Sequence, residues 1–173
     1  GETIADEGYF RRAMQGSLGM GAGVVAANDH RAYFYAAPDF APTGGVAGVL
    51  VVVADVEDVE QTWRGSLPSV FFTNAAGEVF ISNRPELLFW RQGGEGGAGS
   101  ALRDGSPLSY EVAWSGSHEI WHLSPRPYLP RQALHLTVDL PVIGLTGQIL
   151  VDVAPAWRLA SLQAAALAAL CLA

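Results

Sequence analysis

Residues 33–63 read YFYAAPDFAPTGGVAGVLVVVADVEDVEQTW, and this stretch decides the fold. Val46 to Ala54 is almost wholly apolar and rich in β-branched residues, and Thr43-Gly44-Gly45 supplies a turn before it. A half-exposed strand alternates apolar with polar residues, so the unbroken run predicts a central strand covered on both faces. Asp55 follows where a helix N-cap belongs, and Glu57 and Asp58 fall in the first turn, where acids suit the helix dipole. Val56, Val59 and Trp63 recur at helical spacing and predict one apolar stripe. The unit is therefore strand, glycine turn, long strand, capped helix.

Working outward, residues 5–15 predict a short helix, with Gly16 to end it and Tyr9, Phe10, Ala13 and Met14 as its apolar side. Residues 20–27 and 32–37 predict two strands joined by a turn at Asn28-Asp29. The GMGAG run at 19–23 lacks GxGxxG spacing and leads into a strand, so it is not a nucleotide loop. Gly65-Ser66-Leu67-Pro68 breaks the chain and marks a domain boundary. Beyond it, residues 69–82 predict a hairpin turning at Asn74–Gly77, and Pro85 to Trp90 one helical turn. Residues 93–105 predict a flexible glycine-rich loop. Strands follow near 108–114, 118–123, 132–140 and 145–153, then a helix after Pro155. Both halves thus end in a long strand feeding a helix, an architectural repeat roughly 100 residues apart.

The bulk numbers exclude several functions. The chain has 173 residues, half of them hydrophobic by a count of 50%, which is enough for a core. Its formal charge of −7 gives no attraction for phosphate backbones, so nucleic acid is not an expected partner. All 10 basic residues are arginine, which removes P-loop and Schiff-base lysine chemistry. The single cysteine, Cys171, forbids an intrachain disulfide. No nucleophile elbow of the GxSxG kind occurs.

One catalytic pattern does occur. His118-Glu119-Ile120-Trp121-His122 matches HExxH, which in zinc peptidases puts two histidine ligands one helical turn apart. Here a Ser115-Gly116-Ser117 turn precedes it, and Pro125 and Pro127 follow closely. The segment is better placed as the hairpin partner of 108–114, so a strand is expected, with a zinc peptidase as the lesser alternative. The acidic run Asp55, Glu57, Asp58 and Glu60 is expected to be a solvated helix face rather than a metal site. Tyr33, Phe34 and Tyr35 alternate faces as sheet packing or as a pocket wall, with His30 and Arg31 beside them.

At the C-terminus, Leu159 to Ala173 carries only Ser161 and Gln163 as polar residues, after Trp157 and Arg158. That composition predicts the start of a transmembrane helix over 157–173, shorter than the about 20 residues a full span needs. The first residues, Gly-Glu-Thr, carry no signal peptide, and both termini are expected to be cuts in a longer protein.

Taken together, YFRRAMQGSLG (9–19), RAYFYAAP (31–38), GVLVVVADVEDVEQTW (48–63) and FFTNAAGEVFISNRPE (71–86) resemble one family. It is the extracytoplasmic sensor region of C4-dicarboxylate transport sensor histidine kinases, the DctB type. The resemblance implies an α+β fold of tandem PAS-like Cache modules with central antiparallel sheets, the first module truncated at its N-terminus. By that reading 1–65 is the C-terminal part of the membrane-distal module, 66–156 the membrane-proximal module, and 157–173 the start of a transmembrane helix. It implies a non-enzymatic sensor part of a two-component histidine kinase, without cofactor, in the periplasm at a bacterial inner membrane. Its expected partners are a small-molecule ligand, the membrane and a second copy; a ligand-free dimerisation module is the alternative. Tyr9, His30, Arg31, Tyr33, Phe34 and Tyr35 are the expected ligand-binding residues.

The chain departs from the family where the ligand carboxylates are held. The family has an arginine at the place of Glu7, a serine at that of Ala36 and a lysine at that of Val53. Losing two cations removes the partners of a dianion, and desolvating an unpaired carboxylate is costly. The resemblance therefore implies the fold and sensing role, with a ligand less anionic than succinate or one held by His30 and Arg31.

Overall fold

The structure is a computed structural model that describes residues 7–25, 30–93, 98–102 and 104–172. The chain divides into two compact units, Gly1–Arg64 with Asp139–Thr146, and Gly65–Val138 with Gly147–Ala173. Both are α+β with antiparallel pairing.

The first unit is built on three strands in the order β1-β2-β3, with β1 Gly19–Val25, β2 His30–Phe40 and β3 Val46–Asp55. Helix α1, Gly8–Met14, lays Tyr9 and Ala13 on Ala36, with Phe10, Phe34, Val49 and Val51 around them. Gly16 closes the helix in the left-handed region, where a side chain would be strained. Helix α2, Val56–Trp63, starts as its sequence dictates, since the Asp55 carboxylate accepts the Glu57 N–H at 2.8 Å.

Two expectations about this unit fail. The apolar run of β3 is an edge strand, not a covered centre; β2 is the central one. Val49 and Val51 face the core, but Leu50 and Val52 stand more than half exposed on the other face. An unbroken apolar run tells how hydrophobic a strand is, not how many neighbours it finds. The apolar stripe of α2 is also displaced. Val56 and Glu60 are buried, whereas Val59 and Trp63 remain partly exposed.

In the second unit a seven-stranded sheet has the order β5-β4-β10-β9-β8-β7-β6. Its strands are β4 Ser69–Thr73, β5 Val79–Ser82, β6 Ala98–Ala101, β7 Pro107–Ser115, β8 His118–Leu123, β9 Gln132–Leu140 and β10 Leu145–Asp152. The Asn74 side chain builds the predicted β4–β5 turn by accepting the N–H groups of Ala76 and Glu78. Asn83 and Arg84 pin the breaker segment, donating to the carbonyls of Ser66 and Pro68. Pro85–Leu87 forms the single helical turn, a 3-10 one. The glycine-rich loop is not wholly irregular, because β6 forms within it against β7. The core is aromatic: Trp121 is stacked between Tyr110 and His135 at 4.1 and 4.0 Å, and Phe71 and Trp90 pack nearby.

The turn expected at Asn28-Asp29 lies outside the described residues. The C-terminal helix α3 forms over Ala154–Leu172, exposed from Pro155 to Cys171. The membrane-span expectation does not hold for it. Among the described residues no helix is long and apolar enough to cross a membrane. Pro155, Trp157, Arg158, Ser161 and Gln163 dilute its first half, and alanine contributes little apolar area.

Candidate functional site

The β2–β3 register places two of the three substituted positions, Ala36 and Val53, near each other. Phe34 lies opposite Val53, and Ala36 opposite Val51. Opposed residues of an antiparallel pair share a face, and every second residue repeats it. Positions 34, 36 and 53 therefore share one face of the sheet, the face that α1 covers. Tyr9 stacks flat on Phe34 with ring centroids 4.9 Å apart and parallel planes. Glu7 stands at the N-cap of α1, its carbonyl accepting the Arg11 N–H at 3.0 Å. Ala36 is sealed beneath Tyr9 and Ala13, 1% exposed. Glycines make this approach possible. A Cβ at Gly19 would overlap the Tyr9 carbonyl, and one at Gly21 would press on the Tyr9 ring. Burial and the nearby Glu7 carboxylate raise the Tyr9 phenol above its ordinary pKa of 10.0.

The six candidate residues divide between the two faces. Tyr9, Phe34 and His30 belong to the α1 side, although His30 sits at the strand end. Arg31, Tyr33 and Tyr35 belong to the opposite side. There the Tyr33 and Tyr35 rings meet at 4.9 Å, and the Tyr33 hydroxyl donates to the Ile143 carbonyl. Burial, with a smaller contribution from Tyr35, raises the Tyr33 phenol.

The two candidate cations already have carboxylate partners. Arg31 is buried and grips Glu60 through two parallel bonds of 2.9 and 2.6 Å, with Glu57 at 3.9 Å. The fork geometry matches both planar groups and fixes their orientation. His30 Nδ1 lies 3.1 Å from Asp55 Oδ2. That bond raises the imidazole above 6.5 and lowers the Asp55 carboxyl below 3.8. The acidic run is thus not a uniformly solvated face, because Glu60 is 2% exposed. Sequence spacing held a usable signal: Asp55, Val56 and Glu60 are one and four residues apart, and an i, i+4 pair shares a helix face.

The HExxH segment is strand β8, as its flanking turn and prolines predict. His118 and His122 point to one side, while Glu119 points to the other and accepts the Trp121 indole N–H at 2.5 Å. A peptidase needs the glutamate beside water on the helix that carries both histidines; this strand does not offer that arrangement. Among the described residues no group of three or more His, Cys, Asp or Glu could hold a metal ion.

No protein-family model matches the chain. Over 81 residues it is 32% identical to the C4-dicarboxylate transport sensor protein DctB of Pseudomonas aeruginosa, a match covering 47% of this chain and 13% of that protein. Its fold is similar to the sensor domain of the Vibrio cholerae histidine kinase DctB, with a TM-score of 0.63 and 21% identity. That match covers 88% of this chain and 62% of the solved one. The sensory domain of the Campylobacter jejuni chemoreceptor Tlp3 is also similar, at TM-score 0.53 and 14% identity over 86% of this chain and 54% of that one. So is the ligand-binding domain of the Pseudomonas fluorescens chemoreceptor CtaA, solved with L-serine, at TM-score 0.54 and 12% identity over 88% and 63%. The chain thus spans less than two thirds of each of these relatives. Sequence similarity over part of the chain is thus to a DctB sensor protein, and the α+β fold over most of it is similar to the sensor domains of DctB and of two chemoreceptors.

Proposed function

We propose that this chain is part of the extracytoplasmic sensor region of a two-component histidine kinase that detects a small zwitterionic solute, such as an amino acid. One observation carries the reading. The face holding Tyr9, Phe34, Ala36 and Val53 keeps the aromatic floor of a ligand site but offers no cation for a dianion. Arg31 and His30 do not replace the missing charges, since each faces a carboxylate of its own. An amino acid brings an ammonium that Glu7 can meet and only one carboxylate to satisfy. Isoleucine- and serine-bound chemoreceptor domains of similar fold support that ligand class.

In this reading 1–65 belongs to the membrane-distal module and 66–156 to the membrane-proximal one. The parent protein sits in a bacterial inner membrane as a homodimer and passes the signal to a kinase outside this chain. Dicarboxylate sensing is the family's role, and the substitutions at 7, 36 and 53 argue against it here.

A thermal-shift screen of the full-length sensor region tests the proposal. A ligand that binds only the native state raises the melting temperature in proportion to the logarithm of its concentration. Neutral amino acids are expected to raise it, and succinate is expected to leave it unchanged. If no amino acid or organic acid shifts it, ligand sensing is wrong. The second reading, a ligand-free interaction module, then takes over; the sealing of Ala36 beneath α1 favours it.

A further inference from the structure

In the second unit, Glu119 of the HExxH strand faces a buried histidine. The ladders set Trp114 of β7 opposite Glu119 of β8, and Glu119 opposite His135 of β9. Directly opposed residues share a face, so these three stand in one row. His118 and His122, one and three positions from Glu119, fall on the other face. The His135 side chain is 4% exposed and that of Glu119 29%. The Trp121 indole lies against the imidazole, with ring centroids 4.0 Å apart.

Hydrogen bonding sets what this imidazole can do. Gln148 of β10 offers its side-chain oxygen to His135 Nε2 at 3.0 Å. Its amide nitrogen is turned the other way, to the Thr73 hydroxyl at 3.2 Å and the Gln92 side-chain oxygen at 3.3 Å. An oxygen facing Nε2 calls for a hydrogen there, so the neutral ring carries its proton on Nε2 and a lone pair on Nδ1. Nδ1 is buried without a hydrogen bond, yet it lies 3.3 Å from Glu119 Oε1. A lone pair beside a carboxylate oxygen is repelled, whereas a hydrogen on Nδ1 turns the same contact into a charge-assisted bond. That Oε1 also accepts the Trp121 indole N–H at 2.5 Å. Its movement toward Nδ1 is therefore felt at Trp121.

The other groups around the ring carry little charge. β10 and β4 present the neutral Gln148 and Thr73. Tyr110 of β7 stacks on Trp121 at 4.1 Å, and its hydroxyl donates to the Gly93 carbonyl. Asp139 shares the face, but it lies four residues further along β9, about 13 Å away, and accepts from the Thr146 hydroxyl. Glu119 is the charge that faces His135, and its partial exposure gives the proton a route from water.

We propose that His135 and Glu119 form a pH-sensitive latch between β8 and β9. A proton taken from water by Nδ1 makes the ring an imidazolium held at both nitrogens, by Glu119 Oε1 and by Gln148 Oε1. Acid closes the latch and loss of the proton opens it. The strands so joined are β8, β9 and β10, and β10 runs on into α3.

The test is an NMR titration of the whole chain across about pH 5–8, where histidines ordinarily change charge. It is read at the Trp121 indole N–H and at the His135 ring nitrogens. The expected result is a one-proton step at Trp121, with both His135 nitrogens protonated below it and Nε2 alone above it. His135→Gln is expected to abolish the step, while His118→Gln with His122→Gln leaves it in place. Glu119→Gln is expected to lower the midpoint by about one pH unit, a tenfold loss of proton affinity. Glu119→Gln keeps size and shape at a partly exposed position, so it decides the question if His135→Gln fails to fold. A Trp121 signal that stays flat across the range overturns the proposal. So does a step that survives His135→Gln, a midpoint unmoved by Glu119→Gln, or a neutral ring protonated at Nδ1. These signals do not report on the Tyr9–Phe34 face, so the ligand proposal stands or fails separately.

Discussion

At the scale of single residues, charge pairs engage both candidate cations of the first unit. The Arg31–Glu60 pair is buried on both sides, with bonds of 2.9 and 2.6 Å. Such a pair adds little net stability over an apolar one, but breaking it strands the survivor without water. Glu60→Ala is therefore expected to cost about 3–5 kcal/mol in urea unfolding, while Arg31→Met with Glu60→Leu costs far less. A loss below about 1 kcal/mol for Glu60→Ala would show that Arg31 escapes to solvent. The His30–Asp55 pair lies in the open and responds to pH instead. Its imidazole is raised from 6.5, so its contribution is complete below that value and disappears as pH climbs through the folded value. The Asp55 carboxyl is lowered from 3.8, so its contribution is complete above that value and disappears as pH falls through the folded one. Both parts coexist between those limits. An NMR titration is expected to place His30 above 6.5 and to bring it back toward 6.5 in Asp55→Asn; a His30 unmoved by that substitution rules the pairing out.

At the scale of elements, sequence periodicity located strands and helices well and their surroundings poorly. The turns at Asn74 and Gly16 and the cap at Asp55 are local chemistry, so they could be read directly. The edge position of β3 and the inward turn of Glu60 depend on partners distant in sequence. The FFTNAAGEVFISNRPE stretch proves structural in its last third. Asn83 and Arg84 hold the segment that joins the two halves of the chain. In the second unit the strand β8 is fixed by its one inward tryptophan. Trp121 is 1% exposed and stacked on both flat sides. Replacing it removes both stacks and leaves a cavity, so Trp121→Ala is expected to cost about 3–5 kcal/mol by chemical denaturation. Val112→Ala, on the partner strand but 45% exposed, is the control and should cost under about 1 kcal/mol. A Trp121 variant as stable as the control would contradict the packing.

At the scale of the whole molecule, the proposed ligand class rests on two missing cations. Val53→Lys restores one on the sheet face that also holds Phe34 and Ala36, and Glu7→Arg restores the other at the N-cap of α1. In the full-length sensor region the double variant is expected to gain succinate binding by at least about tenfold in calorimetry, because each near cation favours a carboxylate. Equal succinate affinity in variant and parent would mean that the dianion sits elsewhere. About half of the candidate site was legible beforehand. The resemblance grouped positions 7, 36 and 53, and the β2–β3 register then puts 36 and 53 on one face with Phe34. The opposite facing of Tyr33 and Tyr35 follows from strand alternation. The engagement of both cations did not.

The sequence by itself determined the order of elements, the α+β class and the strand form of the HExxH segment. Capping, turns and alternation act between residues a few positions apart, so they are written in the string. Only the tertiary structure decided which strand lies central and which acid turns inward. Arg31 meets Glu60 across a strand and a helix, and Val153 meets Gln132 across a hairpin. Pairings of that kind are set by the burial and charge of the assembled sheet, which no local pattern records.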